Sequence, residues 1–488
     1  MRTALVVLAA SVVLLLGVIV GRTILHQPEA IGNVETVTID LDEDAISRHL
    51  SEAIQIKTVS YQRQDDFQAR EFEAFIDWVK KTYPEVNDAM TLTRLGGYTL
   101  LYRWEGSDPD LKPILVTGHY DVVPVIPGSE KQWQYPPFGG EIVDGVIWGR
   151  GALDDKSAVV AQLEAATYLT QSGFAPKRTV YFSFGHDEEL GGPNGAAKVA
   201  EYLADQDVQL AWSLDEGSFL FDGMLPGVEE LIATINVAEK GSLTLNIVAK
   251  SAGGHSSMPP RRTAVGILAE AITALEAKPV PGGLSGLSEQ MFDTASRYMS
   301  FGNRMLFANR WLFDGLIENR LSDVAFSNAM LRTTTAPTML SGSVKVNVLP
   351  IEAVATVNFR LHPRDSVERV LDHVKSIVEN ADVEVRLPRG SGVAASPVSS
   401  WESTGYRAVE RAVRETYGEV VITPGLMIGG TDSRHYGKVA DDAYRFNPMT
   451  VSQNDLTGFH GTNEKISVAN LAQGTRTYVR IVSLGSME

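Results

Sequence analysis

Between Tyr98 and Leu214, apolar runs alternate with stretches of helical periodicity, and the runs end in clusters of His, Asp and Glu. The runs near 98–103, 112–118 and 179–184 read as strands, and 156–172 and 194–204 as helices. Such alternation folds into a mostly parallel sheet with helices on both faces. Side chains two apart on a strand share a face. His119 and Asp121, following the run Ile114 to Thr117, therefore leave the strand end side by side. That pair suits a metal-bound imidazole oriented by a carboxylate. An ordinary buried His–Asp hydrogen bond fits it too.

Four further clusters decide between these readings. Asp154 and Asp155 follow Trp148-Gly149-Arg150-Gly151 and precede a helix, where an N-cap Asp is also common. His186, Asp187, Glu188 and Glu189 follow the strand Val180 to Phe184; a solvated acidic loop is the plainer alternative. Asp215-Glu216-Gly217 closes another run, and His460-Gly461-Thr462-Asn463-Glu464 comes late in the chain. Open α/β sheets place their sites at the carboxyl ends of strands. Two His and three carboxylates form an all-nitrogen-and-oxygen set suited to zinc, and serve two ions if one carboxylate bridges. A second carboxylate beside a ligand, as in Glu188-Glu189, can shuttle a proton.

The 488 residues allow two or three domains. A net charge of −17 without a basic tract argues against nucleic acid as a partner. The absence of cysteine excludes disulfides, thiolate zinc sites and a cysteine nucleophile. Residues 4–21 carry no charge and approach the length that spans a bilayer. Arg2 precedes this run; Arg22 and then Glu35, Asp40, Asp42, Glu43 and Asp44 follow it. The bias favours a membrane anchor with the body outside the cytoplasm. Secretion after signal cleavage is the alternative.

The sequence divides into an anchor or signal (1–26), a linker (27–38), a first catalytic part (40–238), an inserted α+β domain (239–395) and a second catalytic part (396–488). Helices are expected over 43–54, 69–81 and 466–483. Within the insertion the pattern gives a strand over 242–250, a helix over 261–277 and a helical segment over 289–330. Strands over 342–348 and 352–361, a helix over 365–380 and a strand over 382–387 complete it.

Taken in order, the H-x-D, G-R-G-x-x-D-D-K, D-E-E-x-G-G, D-E-G and H-G-x-N-E elements resemble one family. It is the dinuclear-zinc family of aminoacylase, carboxypeptidase S and the carnosine dipeptidases. The G-H-D-E-E and H-G-x-N-E forms are most similar to the carboxypeptidase S branch, which includes secreted enzymes that make and cleave N-fatty-acyl amino acids. The resemblance implies two zinc ions. His119, Asp154 and Asp215 would hold one; Asp154, Glu189 and His460 would hold the other, with Asp154 bridging. Asp215 and Glu216 are adjacent, and the D-E-G pattern of the family is what selects Asp215. Asp121 would orient His119, and Glu188 would be general base and then acid. The Asp154–Asp155 peptide bond would be cis.

The resemblance also makes the insertion a ferredoxin-like lid and dimerisation domain, so that a homodimer forms through it. His255 would donate to the developing oxyanion, often across the dimer, and Asn347 would contact substrate. The loop Gly429-Gly430-Thr431-Asp432-Ser433-Arg434 would grip a substrate carboxylate, with Gly430 in the loop and Arg434 offering paired N–H donors. His186 and His435 are read as hydrogen-bonding side chains. The implied reaction is amide hydrolysis on a peptide C-terminus or an N-acyl amino acid. Hydrolysis or synthesis of long-chain N-acyl amino acids is the alternative. A non-catalytic zinc-binding protein on this fold is a third reading, which would be expected to lack ligands or the base.

Overall fold

A computed structural model describes residues 2–28, 35–224, 228–380 and 382–487. Residues 29–34 of the expected linker lie outside the described residues. The chain forms two compact units. One comprises Met1–Val237, Asp293–Ala308 and Ser399–Glu488; the other comprises Ala238–Phe292 and Asn309–Val398. The segment Asp293–Ala308, inside the range read as insertion, thus groups with the first unit.

The first unit is built on a mixed ten-stranded sheet with a parallel centre. Ile114–His119 runs parallel to Val180–Gly185 on one side and to Leu210–Asp215 on the other, and Ala440–Arg445 extends the parallel set. Thr99–Trp104 and Thr91–Leu95 add antiparallel strands at one edge. On one face, Leu115, Tyr181 and Leu210 bury against Ala196, Val199 and Leu203 of the helix Ala196–Asp205. On the other, Lys156–Gln171 packs against Val468–Met487, which also packs against Thr404–Tyr417. Trp212 demands glycine in both of the latter helices: a Cβ at Gly405 or Gly485 would lie 2.5 or 2.4 Å from its ring. The central strands are buried on both faces, which is why they read as continuous apolar runs.

Two contacts connect this core to the strand end. Phe75, from the helix Ala69–Thr82, is fully buried and stacks on Tyr120 at 4.2 Å. Tyr120 stands between His119 and Asp121. Lys156, at the start of its helix, donates to Ala53 O and Ile56 O at 2.8 and 2.6 Å, and burial pushes its pKa down to about 7.

The second unit holds a five-stranded sheet in which Gly241–Lys250 pairs antiparallel with Glu352–Leu361 and Val383–Arg386. Leu243, Leu245, Ile247, Ala355, Val357 and Phe359 bury against the helices Ala264–Ala277 and Val367–Ile377. The opposite side of the same strands is polar, with Asn358 donating to Thr244 and Thr356 to Asn246.

One strand was misplaced by the sequence. The edge strand is Thr334–Ser341, not 342–348. Pro337 lies within it, which argues against a strand on pattern alone and is tolerated because only one edge is paired. The alternating Val344-Lys345-Val346 imitates a half-buried strand, yet both valines are almost fully exposed. The pattern gives no strand at Val421–Met427 or Ala440–Arg445, where Pro424 and two aspartates interrupt the apolar residues.

Replacing Phe75 by Ala is expected to cost about 3–5 kcal/mol, because the stacked ring leaves a cavity against Tyr120. Denaturant unfolding followed by tryptophan fluorescence measures it. A loss well under 1 kcal/mol would show that the site wall closes over the gap.

Candidate metal centre

Three strand ends of the parallel sheet, the turn before the helix Lys156–Gln171 and one late loop converge. His119 is the last residue of its strand and is buried. Its Nδ1 faces Asp121 O at 3.0 Å and Asp121 Oδ1 at 3.4 Å, which turns Nε2 toward Asp154 Oδ1, 3.1 Å away. The other oxygen of Asp154 faces His460 Nε2 at 3.1 Å, and Glu189 Oε2 lies 3.4 Å from the same nitrogen. Asp154 therefore stands between two imidazoles, one oxygen toward each. The Asp154–Asp155 bond is cis.

Asp121 does more than orient an imidazole. Its carboxylate accepts from Ser60 Oγ at 2.7 Å and from the backbone N–H groups of Glu188 and Glu189, both at 3.2 Å. It thereby fixes the turn that carries both glutamates. Asp155 is buried behind the site, where Asn447 Nδ2 donates to it at 2.8 Å.

The geometry differs from expectation at the D-E-G element. Glu216, not Asp215, stands at His119, with Oε1 at 3.7 Å from Nε2. Asp215 ends its strand with a buried side chain whose Oδ1 accepts the Glu216 N–H at 2.9 Å. Asp215 is the last residue of its strand and Glu216 the first beyond it.

The late loop is held by residues whose roles the sequence left unread. Glu464 is fully buried; its Oε1 accepts from the N–H groups of Gly151, Leu153 and Asp154 at 3.0, 2.8 and 3.1 Å. Its Oε2 accepts from Arg150 at 2.6 Å, and Arg150 also donates to Gly461 O. Asn463 accepts from Gln134 N at 2.6 Å and donates to Gln132 O at 3.0 Å. His460 and Asn463 both adopt positive φ, which L residues rarely do, so this loop is pinned at several points in an unusual conformation. The signal was present as the spacing of Asn463 and Glu464 from His460 and as the arginine within the G-R-G element.

The electrostatics follow from crowding. Burial pushes Glu188 up to about 8, helped by Glu189, Asp121 and Asp154 and opposed by His119. Burial and Asp154 likewise raise Glu216 well above the carboxylate range. Bonds from His119 and His460 overcome burial and hold Asp154 low. Bonds to Asp154 and then Glu189 push His460 up to about 10. Carboxylates this concentrated need positive charge to remain ionised in a buried site.

The donor set fits a metal. Ligand atoms of His119, Asp154 and Glu189 lie within 4.8 Å of one another, as do those of His119, Glu188 and Glu216. Glu189 Oε1 is buried without a hydrogen-bond partner, which suits a carboxylate oxygen that takes a cation.

His186 is buried against Thr99 Oγ1 at 2.6 Å, and His435 Nε2 meets Gly191 O at 2.9 Å, as hydrogen-bonding histidines. Arg434 donates from Nε to Thr431 O at 2.9 Å, and Gly430 gives its guanidinium room: a Cβ there would sit 3.3 Å from Nη2. His255 and Asn347 both belong to the second unit, where Gly254–His255 pairs with Val348–Leu349 and Ser256 N donates to Asn347 O.

Two outcomes are expected. Glu464→Gln should weaken zinc binding about 10–100-fold with unchanged far-UV circular dichroism, because the Asp154 loop loses its clamp; unchanged affinity would reduce Glu464 to a packing role. Zinc binding near neutral pH should release protons, since His460 must give one up to coordinate, and affinity should fall as pH falls. Calorimetry in buffers of different ionisation heat reads this as a buffer-dependent enthalpy.

Comparison with known proteins bears on the family and the fold. A model of peptidase family M20/M25/M40 matches residues 115–484. The chain is 38% identical over 447 residues to a protein of Dictyostelium discoideum described as probable carboxypeptidase S-like 2, covering 91% of this chain and 85% of that one. It is 38% identical over 444 residues to the human N-fatty-acyl-amino acid synthase/hydrolase PM20D1, covering 90% and 86%. Among solved structures, human carnosine dipeptidase 1 superposes with a TM-score of 0.62 at 17% identity, covering 91% of this chain and 96% of that one. An M20 family metallo-carboxypeptidase from Sulfolobus solfataricus gives 0.62 at 18%, covering 91% and 99%. Likeness at these identities concerns the fold.

Proposed function

The chain belongs to peptidase family M20/M25/M40, and on that premise we propose that it hydrolyses the amide bond of small substrates carrying a free carboxylate, using two zinc ions. One observation carries this reading: Asp154 presents one oxygen to His119 and the other to His460, with Glu188 beside them. His119, Asp154 and Glu216 would hold one ion; Asp154, Glu189 and His460 would hold the other. The metal pair, when bound, polarises the scissile carbonyl and acidifies a water.

The remaining steps fall to the chain's own groups. Glu188 takes the proton of the attacking water and returns it to the departing amine. A raised pKa suits both duties, since the group must accept a proton and then release it near neutral pH. Asp121 holds Glu188 and Glu189 through their backbone N–H groups and so fixes the base relative to the ligands. Arg434 binds the substrate carboxylate through paired N–H donors. His255 donates to the developing oxyanion, and Asn347 contacts the substrate.

The second unit is the lid and dimerisation domain of this reading. Its edge strand Thr334–Ser341 is paired on one side only, and Met339, Leu340, Val344 and Val346 are exposed beside it. An edge of that kind is a template for a second copy. The helix Arg2–Leu25 is the membrane anchor, with the body outside the cytoplasm. It is long and apolar enough to cross a bilayer, and its last turns are held by the body, which favours retention over cleavage.

Two substrate classes compete. Carboxypeptidase or dipeptidase action is the first. Hydrolysis or synthesis of long-chain N-acyl amino acids is the second, supported by the name of the human relative and by the anchor. A non-catalytic binding protein is disfavoured because the base and the ligands are all present.

Glu188→Gln should retain zinc and lose at least about 100-fold in kcat. The test is amino acid release from C-terminal dipeptides and from short- and long-chain N-acyl amino acids. Normal turnover in the variant would remove Glu188 from its role. Preference for long acyl chains would select the second class. No turnover with both zinc ions bound would favour the binding protein.

A further inference from the structure

The helix Arg2–Leu25 does not simply project from the protein. Ile19 and Thr23, one turn apart on one face, are buried, whereas most of the helix is exposed. The helix Phe301–Ala308 packs against it, and Arg22 Nε donates to Ala308 O at 2.9 Å. Just beyond the helix, His26 Nε2 meets Ser296 Oγ at 2.9 Å and Arg297 reaches Gln27 O. Between these contacts and Phe301 the chain is rooted in the first unit: Tyr298 and Met299 pack on the buried cluster Val228, Ile232 and Val421.

Length makes this contact consequential. The part of the helix before Ile19 is about 17 residues, about 25 Å at 1.5 Å per residue, short of an about 30 Å hydrocarbon core. Ile19 also lies within the uncharged run 4–21. At the usual length of about 20 residues, a crossing that starts at the head of this helix extends into the turns that Phe301–Ala308 covers. Two features of the segment suit that depth. Phe301 is 47% exposed, with the Arg304 guanidinium 5.9 Å from its ring centre. Arg22, Arg297 and Arg304 gather around His26, in a chain of net charge −17; Asp293, paired with Arg297, is the carboxylate among them. Burial and these arginines hold His26 below the ordinary imidazole range, against the pull of Asp293.

We propose that Asp293–Ala308 is a bilayer-docking element: Phe301 enters the interface beside the membrane helix, the arginines face lipid phosphates, and the first unit is held against the membrane rather than on a free tether. This rests on the reading of Arg2–Leu25 as an anchor. Arginines and aromatic rings both favour the headgroup layer, the former by extending the guanidinium to phosphate.

The absence of cysteine allows a direct test. Leu8→Cys, Phe301→Cys and Lys81→Cys are made singly in the full chain, labelled with an environment-sensitive fluorophore and reconstituted into phosphatidylcholine/phosphatidylserine vesicles. All three side chains are exposed, so each variant should fold. The expected result is a blue-shifted emission at Phe301 that is lost with lipids doxyl-labelled near the headgroup. Leu8 should be quenched by deeply labelled lipids and Lys81 by neither. Quenching at Leu8 without quenching at Phe301 would overturn the proposal and leave the anchor standing. Quenching at neither would overturn both.

Discussion

The carboxylate of Asp154 is shared between two histidines separated by most of the chain. Holding it there determines much of the rest of the first unit. His119 arrives on a buried parallel strand, His460 on a late loop, and Asp154 on the turn before a buried helix. None of these would stay in register through its own local structure. The Glu464–Arg150 pair, with three backbone N–H groups bonded to one glutamate oxygen, clamps the late loop to the Asp154 turn. A buried charge pair is weak support for stability but strong support for geometry, because breaking it strands the partner charge.

The second constraint is repulsion. Glu188, Glu189, Asp154 and Glu216 crowd together, and burial with this crowding raises some carboxyl pKa values while Asp154 and Glu189 favour the imidazolium form of His460. A cation relieves the same repulsion more completely. Metal binding and proton release are thus two sides of one electrostatic balance. Asp121 restrains the geometry: its oxygens accept from Ser60 and from the backbone of the glutamate turn, which fixes Glu188 and Glu189 relative to His119.

The N-terminal helix obeys a different logic. Its uncharged run 4–21 needs little sequence detail to be long and apolar enough for a bilayer, but packing decides what surrounds its last turns. Here helical segments within Asp293–Ala308 connect those turns to a buried cluster of the first unit.

Much of this was legible in the sequence because it depends on local periodicity. Continuous apolar runs gave the buried parallel strands at 114–119, 180–185 and 210–215 but not Ala440–Arg445, whose two aspartates break the run; alternation gave the half-buried strands of the second unit, and the charge-free run gave the N-terminal helix. The ligand candidates stood out because carboxylates cluster at strand ends, where neighbouring side chains are few and a site can open. The sequence could not choose between Asp215 and Glu216, since that choice is set by which face of the strand end meets His119. Nor could it read Glu464, Arg150 and Asn463 as clamps, or Asp121 as the anchor of the glutamate turn, because each acts on residues far away in the chain. Pattern also misplaced one edge strand, where Pro337 hid a real strand and exposed valines imitated one. Residue types and periods determine which chemistry a chain can perform; distances between remote residues decide which atoms perform it, and these exist only once packing has fixed them.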